Sequence, residues 1–294
     1  MLLGLPEFDY HDAATVDEAR ALLARFGDKA RLLAGGTDLL IVMKHRRAVP
    51  RHLINIKHIE GLSRITLTPD GGLRIGALAT ARDIDEAVGG QFQSISDAAG
   101  KLGTEQIRNL GTIGGNLANA SPSAEFAPPL LTLDASLVCV GDSGERVIPV
   151  SEFFLAPGKS ALQTGEFLTE IRVPVPADGA RGLYLKHSLR KMDVAMVSAA
   201  IQTVIDGDIC RDVRIALGAV APTPFRAIRA EAVLRGQPLD HGTRERQLIH
   251  EAARIASEEA SPIDDLRSYA STRRDIIIRL VRQGLEKLFA DSRA

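Results

Sequence analysis

Residues 110–130 read LGTIGGNLANASPSAEFAPPL. Two adjacent glycines, Gly114 and Gly115, follow Thr112 and Ile113. A run of small polar residues, Asn116, Asn119, Ser121 and Ser123, then leads to a single carboxylate, Glu125. Small residues let a backbone come close to another group, and glycine opens dihedrals with φ > 0. Alone, such a stretch reads as a loop with a tight turn. A second stretch repeats the arrangement. In residues 32–40, LLAGGTDLL, a strand ending at Ala34 leaves through Gly35-Gly36 and a helix begins near Thr37-Asp38. Consecutive N–H groups in such turns form anion nests, and a nearby helix N-terminus adds a favourable dipole. Two loops of this kind can hold the two phosphates of a diphosphate from opposite sides. Thr37, Thr112, Asn116 and Ser121 would add side-chain hydrogen bonds. Glu125 suits the hydroxyls of a sugar or polyol chain and is a poor phosphate ligand. Spacing alone leaves open whether these are two unrelated tight turns.

The rest of the composition narrows the class of protein. The chain has 294 residues, of which 45% are hydrophobic and 25% charged, as in ordinary globular proteins. Its 36 basic and 37 acidic residues leave a formal charge of −1, so no global field draws it to nucleic acid or an anionic membrane. The start, MLLGLPEFDYHD, lacks a basic n-region and a long apolar core, so no signal peptide is expected. No apolar run approaches the ~20 residues of a membrane span. A cytoplasmic location is the default expectation. Cys139 and Cys210 lie far apart in strand-like runs and read as buried core thiols. The closest histidines, His45, His52 and His58, have neither one-face nor zinc-motif spacing, so no metal is expected on this chain.

Along the chain, Thr15 and Glu18 form a capping-box pattern ahead of a helix that stops at Gly27. Residues 30–34 and 52–56 read as strands flanking the first glycine pair, a small βα unit. A hairpin turns at Pro69-Asp70-Gly71-Gly72, and Thr80 caps a helix with Asp83 at its third position. A further helix fits FQSISDAAGKLG, residues 92–103. ASLVCV and ERVIPV, joined by GDSG, form a second hairpin, and EFLTEIRVPVP is a strand with a proline-rich exit. Residues 178–181, DGAR, read as a linker. Beyond it come three strands and then helices to the C-terminus, the pattern of an α+β domain. The expected boundaries are a first domain over 1–177, with subdomains of about 1–57 and 58–177, and a second over 178–294.

No G-x-G-x-x-G, G-x-x-x-x-G-K-[ST] or G-x-S-x-G occurs, so a Rossmann dinucleotide site, a P-loop and a nucleophile elbow are unsupported. Instead, LLAGGTDLLIVMK, LGTIGGNLANASPSAEFAPPLLTLDA and LGAVAPTPFRAIRAEAVLRG closely resemble the FAD-binding medium subunit of molybdenum hydroxylases, the group of carbon monoxide and xanthine dehydrogenases. The resemblance covers essentially the whole chain in the same order. It implies an α+β chain: a vanillyl-alcohol-oxidase-type (PCMH-type) FAD-binding domain of two α/β subdomains, then a C-terminal α+β domain with a three-stranded sheet and helices.

The resemblance also implies roles. Ala34, Gly35, Gly36, Thr37 and Asp38, with Thr112, Ile113, Gly114, Gly115 and Asn116, would wrap the FAD diphosphate, with Ser121 nearby. Glu125 stands where the family usually has Asp, near the ribityl or ribose hydroxyls. Lys159 matches a lysine found near the flavin ring in some relatives. Lys186, Arg190 and Asp193 match a polar signature close to the isoalloxazine. No general acid or base is assigned. In such a complex a large subunit holds molybdopterin and a small subunit holds two [2Fe–2S] clusters. The present chain would hold only FAD and pass electrons to an external acceptor, within a dimer of heterotrimers. An autonomous FAD-dependent reductase or oxidase is the second reading, and a non-redox binder of a nucleotide diphosphate the third.

Overall fold

The computed structural model describes residues 4–240 and 242–292. Strand β1 (Asp9–Asp12) leads into helix α1 (Val16–Phe26), strand β2 (Ala30–Leu33), helix α2 (Leu39–Lys44) and strand β3 (His52–Asn55). The three strands form a parallel sheet in the order β1-β3-β2. Thr15 caps α1 by accepting from Glu18 N, while the Glu18 carboxylate accepts from Ala14 N rather than from the cap residue itself. Strand β1 has no signature in the sequence. Its residues, Asp-Tyr-His-Asp, show no apolar alternation, and the strand exists through pairing with β3.

The central part holds β4 (Ile65–Leu67), β5 (Leu73–Gly76), α3 (Ala81–Ala87), α4 (Gln93–Gly100), α5 (Glu105–Arg108), α6 (Ile113–Ala118) and α7 (Ala127–Thr132). It continues through β6 (Ser136–Gly141), β7 (Gly144–Pro149), α8 (Val150–Phe153), β8 (Phe154–Ala156), β9 (Lys159–Ser160) and β10 (Phe167–Val173). An antiparallel sheet runs β4-β5-β10-β6-β7, and β8 pairs with β9 as a separate ribbon. Both hairpins expected from the glycine turns are present, as β4–β5 and β6–β7. Thr80 and Asp83 form a complete capping box at α3: Thr80 Oγ1 accepts from Asp83 N, and Asp83 Oδ2 accepts from Thr80 N. That cap also fixes the second glycine segment. Thr80 bridges Thr112, and Ala81 N donates to Gly111 O at 2.9 Å.

The C-terminal part contains β11 (Arg181–His187), β12 (Val197–Asp206), β13 (Ile209–Gly218), β14 (Phe225–Arg226), α9 (Ile228–Leu234), α10 (Thr243–Glu259) and α11 (Ala270–Asp291). Its sheet has four strands, β11-β12-β13-β14, where three were expected. The fourth is only two residues long and follows Pro222 and Pro224, too short to show any period. The sheet is covered on both faces. Tyr184, Ala200 and Ala216 join the central core, which also includes α4 and α7. Their neighbours Leu183, Ala199, Ile201, Ile215 and Leu217 face a second core built with α9, α10 and α11. Period-2 alternation therefore seats this sheet on the central unit. Among the described residues, no helix is long and apolar enough to cross a membrane.

Candidate flavin-binding cleft

Gly35-Gly36 emerges from the carboxyl end of β2, the end of a parallel sheet at which ligand crevices form. Gly36 adopts φ +76°, a region that L side chains rarely enter. Gly35 has another reason to be glycine. A Cβ there would overlap the backbone carbonyl of Leu110, so the two glycine-bearing segments lie backbone against backbone.

The two segments differ in what they offer. Among the described residues, no hydrogen bond holds the backbone N–H groups of Gly35, Gly36, Thr37 or Asp38. That row is open to an anion. The second segment is closed. Ile113 N donates to Ala79 O at 3.0 Å, Gly114 N to Ala77 O at 2.8 Å, and Asn116 N to Thr112 O at 2.9 Å. Gly115 N donates to Thr112 Oγ1 at 3.1 Å. Residues 113–118 are helix α6 with Thr112 as its N-cap, and the expected second nest is absent. The glycines here serve packing instead: a Cβ on Gly114 would stand 2.6 Å from the Ala77 carbonyl oxygen.

A cleft of about 600 Å³ runs between the segments. Ala34, Gly35, Gly36, Thr37, Asp38, Thr112, Gly115, Asn116, Ser121 and Glu125 all line it, ten positions that the sequence singled out. A second lobe of about 520 Å³ adjoins it, and Arg31, Leu32, Ala34, Gly115 and Ala118 line both. Gly114 lines the second lobe. One small-molecule pocket is about 300–1,000 Å³, so two adjoining lobes, the first lined by the N–H row, suit an elongated, two-part anionic ligand. Burial raises the pKa of the Asp38 carboxyl beside that row.

Glu125 stands at the wall of the first lobe, between α6 and α7. Its side chain is 9% exposed and its Oε1 accepts from Lys186 Nζ at 3.1 Å. Burial raises its pKa, and the Lys186 ammonium together with the Asn116 side chain works against that rise. The carboxylate is thus paired and held in place by Lys186, on a residue that lines the cleft.

Other expected residues fall elsewhere. Ile113 is fully buried in the central core. Lys159 is exposed on β9 and lines neither lobe, although its neighbour Ser160 lines the second. Lys186 lines neither lobe either, because it sits behind Glu125. Arg190 and Asp193 close a local turn, with Arg190 N donating to Asp193 Oδ2 at 3.1 Å. The residues beside them, Met192 and Val194, are the ones that line the cleft. Arg31 and Leu102 also line the cleft without any sequence signal, as do Ser160 and residues 162–168 in the second lobe. Asn119 and Ser123, quoted in the polar run, line the first lobe too.

Comparison with known proteins gives the cleft a context. The family described as the FAD binding domain in molybdopterin dehydrogenase matches residues 6–176, and the CO dehydrogenase flavoprotein C-terminal domain matches residues 183–288. The xanthine dehydrogenase FAD-binding subunit of Escherichia coli O157:H7 is 36% identical over 240 residues, covering 80% of this chain and 82% of its own. The carbon monoxide dehydrogenase medium chain of Hydrogenophaga pseudoflava is 33% identical over 287 residues, covering 97% of this chain and 98% of its own. A solved carbon monoxide dehydrogenase structure from the same organism superposes with a TM-score of 0.92 at 34% identity, over 98% of this chain and 99% of its own. Quinoline 2-oxidoreductase from Pseudomonas putida 86 superposes with a TM-score of 0.91 at 27% identity, over 99% of each chain.

Proposed function

This chain belongs to the family of FAD-binding subunits of molybdopterin dehydrogenases, and on that premise we propose that it carries the electron-exit flavin of a larger complex. The observation that carries the reading is the joined cleft, with an open row of N–H groups at Gly35–Asp38 and the paired carboxylate of Glu125 along one wall. Open donors suit a diphosphate, and a fixed acceptor suits the hydroxyls of a ribityl chain. The residues present fit FAD. The N–H row would hold its diphosphate, Glu125 its hydroxyls, and Leu102, Met192 and Val194 would give apolar surface in the same lobe.

Bound FAD supplies two-electron storage and release. The chain's residues bind it, orient it and shape its access. None is assigned as an acid or a base. Electrons would arrive from a partner. A [2Fe–2S] cluster takes four ligands, usually thiolates, and the two thiols of this chain lie buried in different sheets, Cys139 in β6 and Cys210 in β13. A small [2Fe–2S] subunit and a large molybdopterin subunit are the proposed partners, in a dimer of heterotrimers. The loop at the mouth of the cleft exposes Leu189, Met192 and Val194, apolar surface of the kind that permanent partners cover. Such an interface should exceed the ~1,600 Å² of a standard complex, since electron flow needs fixed geometry.

The test is expression of the chain alone and with candidate large and small subunits. Alone it should contain FAD and negligible iron, and stay oxidised in the presence of the complex's substrate. In the assembly the same substrate should bleach the flavin. Stoichiometric iron in the isolated chain, or bleaching without partners, defeats the assignment.

A further inference from the structure

The lysine behind Glu125 is nearly sealed. Its side chain is 3% exposed, and its ammonium donates to two acceptors, Glu125 Oε1 at 3.1 Å and Lys101 O at 2.9 Å. The second contact is returned. Lys101, at the end of α4, donates from its own Nζ to Tyr184 O at 2.9 Å, two residues before Lys186 on β11. Tyr184 N in turn donates to Asp97 Oδ2, on α4, at 3.1 Å. The central unit and the C-terminal sheet thus exchange lysine side chains across their junction, and Glu125 receives the outermost of these bonds.

Resting on the flavin reading above, we propose that Lys186 is a positioning residue that acts on FAD only through Glu125. It fixes the charge and direction of that carboxylate, and so makes flavin retention depend on the C-terminal sheet being seated. Three observations support this. Lys186 lines neither lobe of the cleft. Burial works against the charged form of Glu125, and the Lys186 ammonium 3.1 Å away opposes that effect and favours the carboxylate. Two of the three ammonium donors go to protein atoms, and the side chain is only 3% exposed, so little of the lysine is left to meet a ligand. A lysine touching the flavin directly, as the resemblance implies, would instead need its Nζ at the cleft surface.

A double-mutant cycle separates these roles. FAD is titrated into the full chain after flavin removal, for the parent, Lys186→Met, Glu125→Gln and the double variant, with unfolding midpoints measured on each. Lys186→Met should weaken FAD by about tenfold, the scale of losing one oriented charge-assisted acceptor. In the Glu125→Gln background the same change should alter the dissociation constant by less than about twofold. A merely structural role, or direct contact with the flavin, would give losses that multiply across the two backgrounds, and that result overturns the proposal. If Lys186→Met does not fold, Lys186→Gln, which keeps a donor, takes its place in the cycle. A parent chain that binds no FAD defeats the flavin reading itself. A flavin-binding parent with multiplying losses defeats only the role of Lys186.

Discussion

Gly35 packs against the backbone carbonyl of Leu110 with no room for a Cβ between them. This contact joins the first glycine segment to the second, which is fixed from its other side by the Thr80–Thr112 bridge and the α3 capping box. The open N–H row at residues 35–38 therefore has its position set by residues about 75 positions later in the chain, a non-local arrangement that neither segment could hold alone.

The first prediction concerns that contact. Gly35→Ala must push the two segments apart, because the group it meets is backbone and cannot swing aside. Overpacking of this kind costs about 1–3 kcal/mol, and FAD occupancy should fall with it. Gly115→Ala should be milder, since a Cβ there meets only Thr112 Oγ1 at 2.9 Å. Gly115→Val should still lower occupancy, because Gly115 lines both lobes. It should do so by bulk in the cleft and not by dihedral strain, as Gly115 has no positive φ. Flavin absorbance per chain and urea unfolding give the order. Full occupancy in Gly35→Ala would sink the account.

A second prediction follows from the Glu125 geometry. Glu125→Ala removes the acceptor and leaves Lys186 buried with one partner fewer. FAD should weaken by about 1–3 kcal/mol, or roughly fivefold to 150-fold. Glu125→Asp keeps the charge and should stay within about 1 kcal/mol of the parent. Fluorescence titration decides. Parent-like binding by both variants would make Glu125 a wall residue without a ligand role.

Several elements were legible because one local rule decides each. Thr80 and Asp83 stand three apart and form the expected capping box. Pro69 to Gly72 gives the β4–β5 turn, and β12 lies in a stretch that reads as a strand. The cleft lining was legible for a similar reason: small residues in two runs mark places where backbone approaches something. What could not be read depends on distance in the chain. The N–H groups of Gly114 and Gly115 look free in sequence, and only the approach of Ala77 and the Thr112 cap shows that they are taken. The partner of Lys186 is a carboxylate 61 residues earlier, a pairing that its own segment does not reveal. Helix α7 begins at Ala127-Pro128-Pro129, prolines that sequence rules tolerate only in a first turn. The segment at 160–168 has no motif at all, and it reaches the cleft only because the β8–β9 ribbon folds back.

The two cysteines give a third prediction. Burial, reinforced by Glu166, pushes the Cys139 thiol up to about 11, and burial with Asp212 pushes Cys210 up to about 12. Both folded values lie above the ~8.5 of a free thiol. Their contribution to stability is therefore complete below about pH 8.5 and is lost as the pH rises toward 11–12. The native chain should resist thiol reagents at pH 7–8, and both sites should react after denaturation. Rapid stoichiometric labelling of the folded protein would contradict the buried placement.

The last prediction concerns the turn that starts α11. Asp265 is partly buried, which by itself disfavours its charge. Hydrogen bonds from Arg267 N at 2.8 Å and Arg273 Nη2 at 2.6 Å outweigh that cost and hold its carboxyl down at about 2. Arg273 also donates to Ala219 O at 2.9 Å, so the turn is tied to the end of β13. The folded value is below the ordinary ~3.9 of Asp. The stabilisation is thus present above about pH 4 and is lost as the pH falls through 2. Asp265→Asn should lower stability by about 1–2 kcal/mol at pH 7, a figure already discounted for partial exposure. The gap to the parent should narrow steadily between about pH 4 and pH 2. Urea titrations across that range measure it. A gap that stays constant with pH would mean that the carboxylate charge does not hold the turn, and that shape or packing does.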